Sequence, residues 1–239
     1  MKSASLLLVF LFCAASNARA QAESPKYQEV FYASGNLRIQ AYLYKPEGDG
    51  PFAAVMVPER RGYGKSDGEI WRNEVGRAQS QLIPRLEAEA DDMLAAVDYL
   101  RGLPYVDVRR LAVMGWSFGG VVTMLATARS TVFVAAVDQA GGALTWAGNG
   151  YMRSALVGAA EKSTIPTLFM VAQNDRTTAS ITTLAEVFKK RNVPHGLVVY
   201  EPFTPSGEAR TAAGHAIFSS QGASLWEKDV LAFLGTYLR

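Results

Sequence analysis

The stretch LAVMGWSFGG, Leu111 to Gly120, decides how this chain folds and where its chemistry lies. An apolar run leads straight into Gly115-Trp116-Ser117-Phe118-Gly119, and a pattern of helical period follows. A serine in Gly-x-Ser-x-Gly between a strand and a helix occupies a sharp turn, where the glycines let the backbone crowd and the hydroxyl stands above the sheet. The pattern therefore predicts Ser117 as a nucleophile; the alternative is a glycine-rich turn with an incidental serine.

The segments around this turn alternate between short apolar runs and longer stretches of helical period. Such alternation is typical of an α/β fold, with a mostly parallel central sheet covered by helices. Ahead of it, residues 27–34 and 37–46 alternate polar and apolar residues and predict an N-terminal antiparallel hairpin. The predicted sheet strands are 52–57, 111–115, 132–138, 166–173 and 196–202, the predicted helices are 86–101, 118–128, 178–191 and 224–238, and a weaker helix spans 151–161. Residues 67–84 have no clear period and are expected to form a loop or a small lid.

Length and charge limit the kind of protein. The chain has 239 residues and shows no linker, so we expect one domain over 21–239. The net charge is only +2, with acidic and basic residues interspersed, which gives no basic footprint for a nucleic-acid partner.

Residues 1–20 have the features of a cleaved signal peptide. A lysine precedes an apolar run from Leu6 to Ala15, and Ala18-Arg19-Ala20 offers small residues for cleavage. An uncleaved anchor is the alternative, but the run is shorter than the roughly 20 residues of a membrane span. We therefore expect a secreted or periplasmic protein without stable membrane insertion. The only cysteine, Cys13, lies in this segment, so the mature chain is expected to use no disulfide or thiol chemistry.

A serine nucleophile needs a base, and the chain has two histidines. His195 stands at the start of an apolar strand, which is the wrong edge of a parallel sheet, and we interpret it as structural. His215 lies in a Gly/Ala/Ser-rich loop between the last strand and the last helix, from which it can fold over the carboxyl ends of the strands, where open α/β sheets bind ligands. The sequence favours His215 as the base.

The base needs a carboxylate to orient it, and two aspartates end on the correct edge. Asp175 follows the strand 166–173, and Asp138 ends the strand before it. Chain order Ser, Asp, His fits either residue. An alternative role for Asp175 is to cap the helix that follows.

With these residues in place the chain resembles the α/β-hydrolase superfamily, and within it the dienelactone hydrolase family and its prolyl-oligopeptidase-like relatives. RRGYGKSDG resembles the family's Arg-Gly-x-Gly-x-Ser loop, PTLFMVAQND its acid strand, and GHAIF its histidine loop. The resemblance covers most of 21–239 and favours Asp175 over Asp138. It implies a serine hydrolase that acts on a small-molecule ester or a related acyl substrate, without metal or organic cofactor. Dienelactone hydrolases use cysteine where this chain has Ser117, which favours general carboxylesters, with peptide bonds as the weaker option.

The chain departs from the family in the segment FAAVMVPERRGYGKSDG, residues 52–68. In the superfamily a strand ends in His-Gly, whose following backbone N–H forms half of the oxyanion hole, and a helix and another strand precede the arginine loop. Here the strand runs directly into Glu59-Arg60-Arg61-Gly62, so we expect the fold to be short of one strand–helix unit. The Phe118 N–H remains as an oxyanion donor, and losing the other costs about 10² to 10³ in turnover. A catalytically weak or inactive binding protein is therefore the main rival, followed by a shortened product that folds poorly.

The arginine loop has two candidate roles. Arg60 and Arg61 are expected to anchor it by hydrogen bonds, while Arg61, Tyr63 and Trp116 are candidate substrate contacts, Arg61 for a carboxylate. The glycines of the loop, Gly62 and Gly64, would also allow the backbone N–H of Arg60 or Arg61 to approach the site as the second oxyanion donor.

Overall fold

The computed structural model describes residues 27–207 and 212–239, and the predicted signal peptide, 1–20, lies outside these ranges. The strands are β1 (Gln28–Ser34), β2 (Leu37–Leu43), β3 (Phe52–Met56), β4 (Val106–Trp116), β5 (Ala135–Gln139), β6 (Thr167–Ala172) and β7 (His195–Tyr200). The α-helices are α1 (Trp71–Val75), α2 (Leu82–Arg101), α3 (Phe118–Thr127), α4 (Gly150–Lys162), α5 (Ala179–Lys190) and α6 (Ala223–Tyr237). Within the described ranges, none of the helices combines the length and the apolar character needed to cross a bilayer.

β3 to β7 form one parallel sheet in which the strands lie side by side in chain order. β5 and β6 are buried along their whole length. This explains why β6 is apolar almost without interruption, while β5 ends in the buried polar residues Asp138 and Gln139. Because all five strands are parallel, their carboxyl ends meet at one edge, and this edge includes the end of β4 at Trp116. The predicted mostly parallel sheet is confirmed.

Four helices cover one face of this sheet. α2 packs against α3, α3 against α4, and α4 against α5, as right-handed crossovers between successive neighbouring strands require. α6 contacts β5. The stretch 67–84, expected to be a loop or lid, contains α1 and the first turn of α2. α2 begins at Leu82 because Pro84 falls in the first turn, where a missing N–H costs nothing.

β1 and β2 form the predicted hairpin, which is a separate two-stranded sheet. Among the described residues no strand pairs with the outer edge of β3, as expected for a fold that is short of one strand–helix unit. A cleft of about 230 Å³ separates β2 from β3. Four large hydrophobic side chains that line this cleft are exposed: Tyr42, Tyr44, Val55 and Val57.

The loop that follows β3 bonds to the free edge of β2. The Glu59 N–H donates to the Gln40 carbonyl over 3.3 Å, and the Asp67 N–H donates to the Arg38 carbonyl over 2.9 Å. The Gln40 side chain accepts from the Lys65 N–H at 2.7 Å. This loop therefore attaches the hairpin to the rest of the molecule where a strand would otherwise lie.

Ion pairs fix the same loop to α2. Arg60 forms a bidentate pair with Glu89, whose Oε1 lies 2.7 Å from Nη2. Arg61 pairs with Asp92 at 2.6 and 2.8 Å and donates to the Ala88 carbonyl at 2.8 Å. The hydrogen bond to Asp92 also raises the pKa of Arg61. Glu89 and Asp92 are both 3% exposed. Glu89 also pairs with Arg85 of α2, whereas Asp92 has only Arg61 as an ion-pair partner among the described residues. Removing the partner of a buried carboxylate costs about 3–5 kcal/mol. The loop is held firmly against α2.

Replacing Gly62 by alanine is expected to destabilise the protein more than replacing Gly35 by alanine. Both glycines have positive φ, 79° and 58°, so each alanine carries a penalty of about 1–2 kcal/mol. A methyl group on Gly62 would also lie 2.3 Å from the Glu69 carbonyl carbon, whereas one on Gly35 meets no atom within 4 Å. Urea unfolding of Gly62→Ala and Gly35→Ala measures the difference, and equal losses would contradict the tight packing of the loop.

Candidate active site

Ser117 stands between β4 and α3 in a strained conformation. Its φ of 60° and ψ of −119° lie outside the usual regions for a residue with a side chain, which costs about 1–3 kcal/mol. The turn requires glycine at Gly115, because a methyl group there would lie 2.2 Å from the Gly119 carbonyl. The Ser117 N–H donates to the Gln139 carbonyl at 2.8 Å. These contacts hold the hydroxyl-bearing residue at the carboxyl edge of the sheet.

The loop after β7 brings His215 to Asp175. Nδ1 of His215 lies 2.8 Å from Oδ2 of Asp175, and both side chains are buried. A carboxylate only accepts, so Nδ1 carries the proton and Nε2 is the nitrogen free to accept one. Nε2 is itself buried and has no hydrogen-bond partner among the described residues. The hydrogen bond to Asp175 therefore fixes the ring so that Nε2 is left free to accept a proton.

Gly214 allows this approach, and Asn174 supports it. A methyl group on Gly214 would lie 2.3 Å from Oδ1 of Asn174 and 2.5 Å from the Asp175 nitrogen. The Asn174 side chain bonds in both directions to the backbone of Phe203, at 2.9 Å each. Sequence reasoning did not single out Asn174. Its only signal was its place between the end of a buried strand and an aspartate.

The two competing residues lie elsewhere. Asp138 is fully buried, and its Oδ1 accepts from the Gly141 N–H at 2.8 Å rather than from a histidine. Nδ1 of His195 lies 2.8 Å from the Val193 carbonyl at the start of β7. The helix-capping alternative for Asp175 does not describe its contacts, since α5 begins at Ala179 and the residue at its cap is Thr178.

A cavity of about 340 Å³ contains Ser117. Trp116, Phe118 and Arg60 also line it. Trp116 is 40% exposed, and its ring centroid lies 5.4 Å from that of His215. Of the candidate substrate contacts, Trp116 therefore stands beside both Ser117 and the histidine.

Arg61 and Tyr63, the other two candidate substrate contacts, lie away from this cavity. The Arg61 guanidinium is engaged by Asp92 and by the Ala88 carbonyl. The Tyr63 ring packs under the Arg60 guanidinium at 5.2 Å. Among the described residues, neither side chain lines the cavity with Ser117. Arg61 therefore contacts a carboxylate of the protein itself, Asp92, rather than facing the cavity where a substrate carboxylate would lie. These are the contacts of a residue that anchors the loop.

Most backbone N–H groups near the cavity after β3 are already used. Pro58 has none, and Glu59 donates to Gln40. The Arg60 N–H is directed to the Glu59 carboxylate at 3.3 Å, and the Tyr63 N–H donates to the Arg60 carbonyl at 3.0 Å. The Arg60 side chain differs, because Glu89 engages Nε and Nη2 while Nη1 has no partner among the described residues. Its guanidinium carbon lies 5.4 Å from the Phe118 ring centroid.

Comparison with known proteins agrees with this architecture. The model of the prolyl oligopeptidase family matches residues 53–147, which include β3, the arginine loop and the turn at Ser117. The acylaminoacyl peptidase of Pyrococcus horikoshii aligns with a TM-score of 0.65 at 16% identity, over 89% of this chain and 42% of that one. The chain has the α/β-hydrolase fold. It spans less than half of the length of that peptidase.

Two similar solved structures are of about the same size as this chain. An esterase of Pyrococcus furiosus aligns with a TM-score of 0.64 at 15% identity, over 90% of this chain and 92% of the esterase. A candidate dienelactone hydrolase of Klebsiella pneumoniae aligns at 0.60 and 20% identity, over 89% and 99%. A probable dipeptidyl-aminopeptidase B of Metarhizium robertsii is 53% identical over 36 residues, which is 15% of this chain and 4% of that protein. The structural likenesses concern the fold alone.

Replacing Asp138 by asparagine is expected to make the stability less dependent on pH. Burial raises the pKa of Asp138 to about 7, whereas an unfolded aspartate titrates near 3.9. Between about pH 4 and pH 7 the folded state therefore holds more protons than the unfolded state, so stability falls as the pH rises. The fall due to this group is on the order of a few kcal/mol.

Urea unfolding of the wild type and Asp138→Asn at pH 5 and pH 8 measures this effect. The wild type should lose more stability between the two values than the variant does. Asp98→Asn, an exposed aspartate on α2, serves as the control and should follow the wild type. An Asp138→Asn variant that follows the wild type would show that Asp138 does not titrate in this range.

Proposed function

We propose that this α/β-hydrolase is a secreted serine hydrolase that cleaves carboxylic esters or related acyl bonds. The observation that carries the proposal is the buried Asp175–His215 pair. Nε2 of His215 has no partner among the described residues, and the ring lies 5.4 Å from that of Trp116, the residue before the strained Ser117. A buried, oriented histidine beside a serine on such a turn is the arrangement that acyl transfer needs.

The proposed reaction has two halves. Ser117 Oγ attacks the substrate carbonyl while His215 Nε2 takes its proton, and the tetrahedral intermediate collapses as Nε2 returns that proton to the departing alcohol oxygen. Water then attacks the acyl-enzyme with the same proton transfers, which releases the acid and restores Ser117. Asp175 keeps the proton on Nδ1 and stabilises the charged ring. The Ser117 hydroxyl has to turn toward Nε2 for the first step, as often happens only when substrate binds.

The oxyanion needs two donors, and we assign them to different kinds of group. The first is the Phe118 N–H, the backbone donor that follows the nucleophile. The second is Nη1 of Arg60. The backbone N–H groups of Glu59, Arg60 and Tyr63 are occupied. The Arg61 N–H has no acceptor among the described residues, but Arg61 does not line the cavity with Ser117, whereas Arg60 does. A charged donor strengthens the contact with a developing negative charge.

Esters are favoured over peptides as substrates. An alcohol leaves more easily than an amine, so an ester tolerates a less complete oxyanion hole than a peptide bond does. A peptidase is the second candidate function, supported by the match to the prolyl oligopeptidase family over 53–147. The first candidate function, ester hydrolysis, is supported by the Pyrococcus furiosus esterase, since this chain covers 92% of its length. A binding protein without turnover is the outcome if the oxyanion hole is insufficient.

Substitution of Ser117, His215 or Asp175 is expected to abolish esterase activity. His215→Asn removes the base and should lower kcat for 4-nitrophenyl acetate by about 10⁴-fold or more, and Ser117→Ala should do the same. Asp175→Asn should lower it by about 10⁴-fold through the wrong tautomer. A fluorophosphonate probe should label the wild type and not Ser117→Ala.

His195→Asn is the matched control, because it removes the other histidine without touching the proposed machinery. It should retain turnover and labelling. Wild-type activity no higher than that of Ser117→Ala, on esters and on acyl-peptides alike, would leave the binding protein as the surviving hypothesis. Equal labelling of the wild type and Ser117→Ala would contradict Ser117 as the nucleophile.

Arg60→Gln is expected to lower kcat by about 10²-fold with a smaller change in KM, since an oxyanion donor acts in the transition state. Arg129→Gln is the control: Arg129 also pairs with a carboxylate of α2, Asp91, but it does not line the cavity with Ser117. Steady-state kinetics with a 4-nitrophenyl ester, together with the affinity for a boronic acid that mimics the tetrahedral intermediate, distinguish catalysis from folding. A change in KM alone would contradict the assignment.

A further inference from the structure

Phe118 lines two cavities: the one that contains Ser117 and a second one of about 700 Å³. Part of its wall is apolar and is formed by Trp71, Val75, Leu82 and Leu144. The Trp71 ring meets the Phe118 ring edge to face, with centroids 5.3 Å apart at 85°. An apolar chain attached to a carbonyl at Ser117 could therefore continue past Phe118 into this cavity.

Two arginines, Arg77 and Arg176, complete the wall, and none of its described residues is acidic. Neither guanidinium has a hydrogen-bond or ion-pair partner among the described residues, and both side chains are exposed. This contrasts with Arg60, Arg61 and Arg85, which carboxylates engage. The cavity thus has two positive charges available for a ligand.

Among the described residues, the two carboxylates next in sequence to residues of the wall, Glu74 and Asp175, are already engaged. Glu74 pairs with Arg85. Asp175 receives His215 on Oδ2 and the backbone N–H of Arg176 on Oδ1, at 2.8 and 2.6 Å. The wall also includes Gly148 and Asn149, at the start of α4, where the helix dipole adds positive potential. The electrostatic preference of the cavity is therefore for an anion.

We propose that this cavity binds a carboxylate at the far end of the acyl chain, so that the preferred substrates are monoesters of aliphatic dicarboxylic acids. The inference rests on the proposed esterase function and names its substrate class. The cavity is assigned to the acyl part of the substrate rather than to its alcohol part. The alcohol oxygen must reach His215 to be protonated, and neither His215 nor the neighbouring Trp116 lines the cavity. The apolar wall accommodates the methylene chain, while Arg77 and Arg176 hold the carboxylate.

The test compares 4-nitrophenyl adipate monoester with 4-nitrophenyl hexanoate, which has the same chain length and no terminal charge. The ratio of their kcat/KM values, after subtraction of the Ser117→Ala background, should favour the anionic ester by roughly tenfold, the worth of a charge-assisted hydrogen bond. Arg77→Gln and Arg176→Gln should each lower the ratio several-fold, and the double variant should lower it to about one. Added salt should lower the wild-type ratio because these arginines are exposed.

Arg101→Gln is the control, since this exposed arginine of α2 pairs with the exposed Asp98 and does not line the cavity. It should keep the wild-type ratio. Hydrolysis of the hexanoate with no preference for the adipate ester, or a preference unchanged in the double variant, would overturn this inference and leave the esterase proposal standing.

Loss of the proposed esterase function has a different signature, because neither ester would then be hydrolysed above the Ser117→Ala level. In that case calorimetric titration with monomethyl adipate still tests the cavity. Binding by the wild type that is weakened in the double variant and retained in Arg101→Gln would support the anion site. Equal binding by the wild type and the double variant, or no binding by either, would overturn it.

Discussion

Two nearly buried carboxylates of α2, Glu89 and Asp92, hold the loop that follows β3 and thereby determine the shape of one half of the molecule. Arg60 and Arg61 come from consecutive positions of that loop and meet carboxylates three residues apart on one helix, which are neighbours on its surface. Glu89 would keep its pair with Arg85 if the loop left, but Asp92 would lose its ion-pair partner inside the protein, which is costly. The backbone of the loop then bonds to β2, so the hairpin is attached through a loop rather than through a strand.

This arrangement explains how the fold persists without a strand between β2 and β3. The five-stranded sheet is parallel and in chain order, and its central strands are covered on both faces. The cost lies at the outer edge of β3, where exposed apolar side chains line an open cleft. The missing strand also affects the site. Pro58 has no N–H and most N–H groups after it are occupied, so few backbone donors are left to face Phe118. In the proposed mechanism the arginine that anchors the loop, Arg60, also supplies the second donor.

Close backbone approach governs the other half of the site. Gly115 permits the turn at Ser117, and Gly214 permits the histidine loop to lie against Asn174 and Asp175. At both points a methyl group would lie 2.2–2.5 Å from other atoms, well inside van der Waals contact, so the geometry of the site depends on glycine. The two cavities around Phe118 then differ in character. One is lined by Ser117, Arg60 and the carboxylate that Arg60 binds, and the other is lined by two arginines and, among the described residues, by no carboxylate.

The sequence by itself determined the order and type of the sheet strands and of the five longer helices, but not the short helix α1. Burial on both faces produces continuous apolar runs, and helices produce a 3.6-residue period. The sequence also limited the candidates to a serine on a glycine turn, two histidines and two aspartates at strand ends. Only the tertiary structure decided which aspartate meets which histidine, because Asp138 and Asp175 end neighbouring strands and differ only in what the distant loop at His215 reaches. It alone separated the roles of Arg60 and Arg61, and it brought Arg77 and Arg176 into one cavity. These are contacts between residues far apart in the chain, and local pattern carries no information about them.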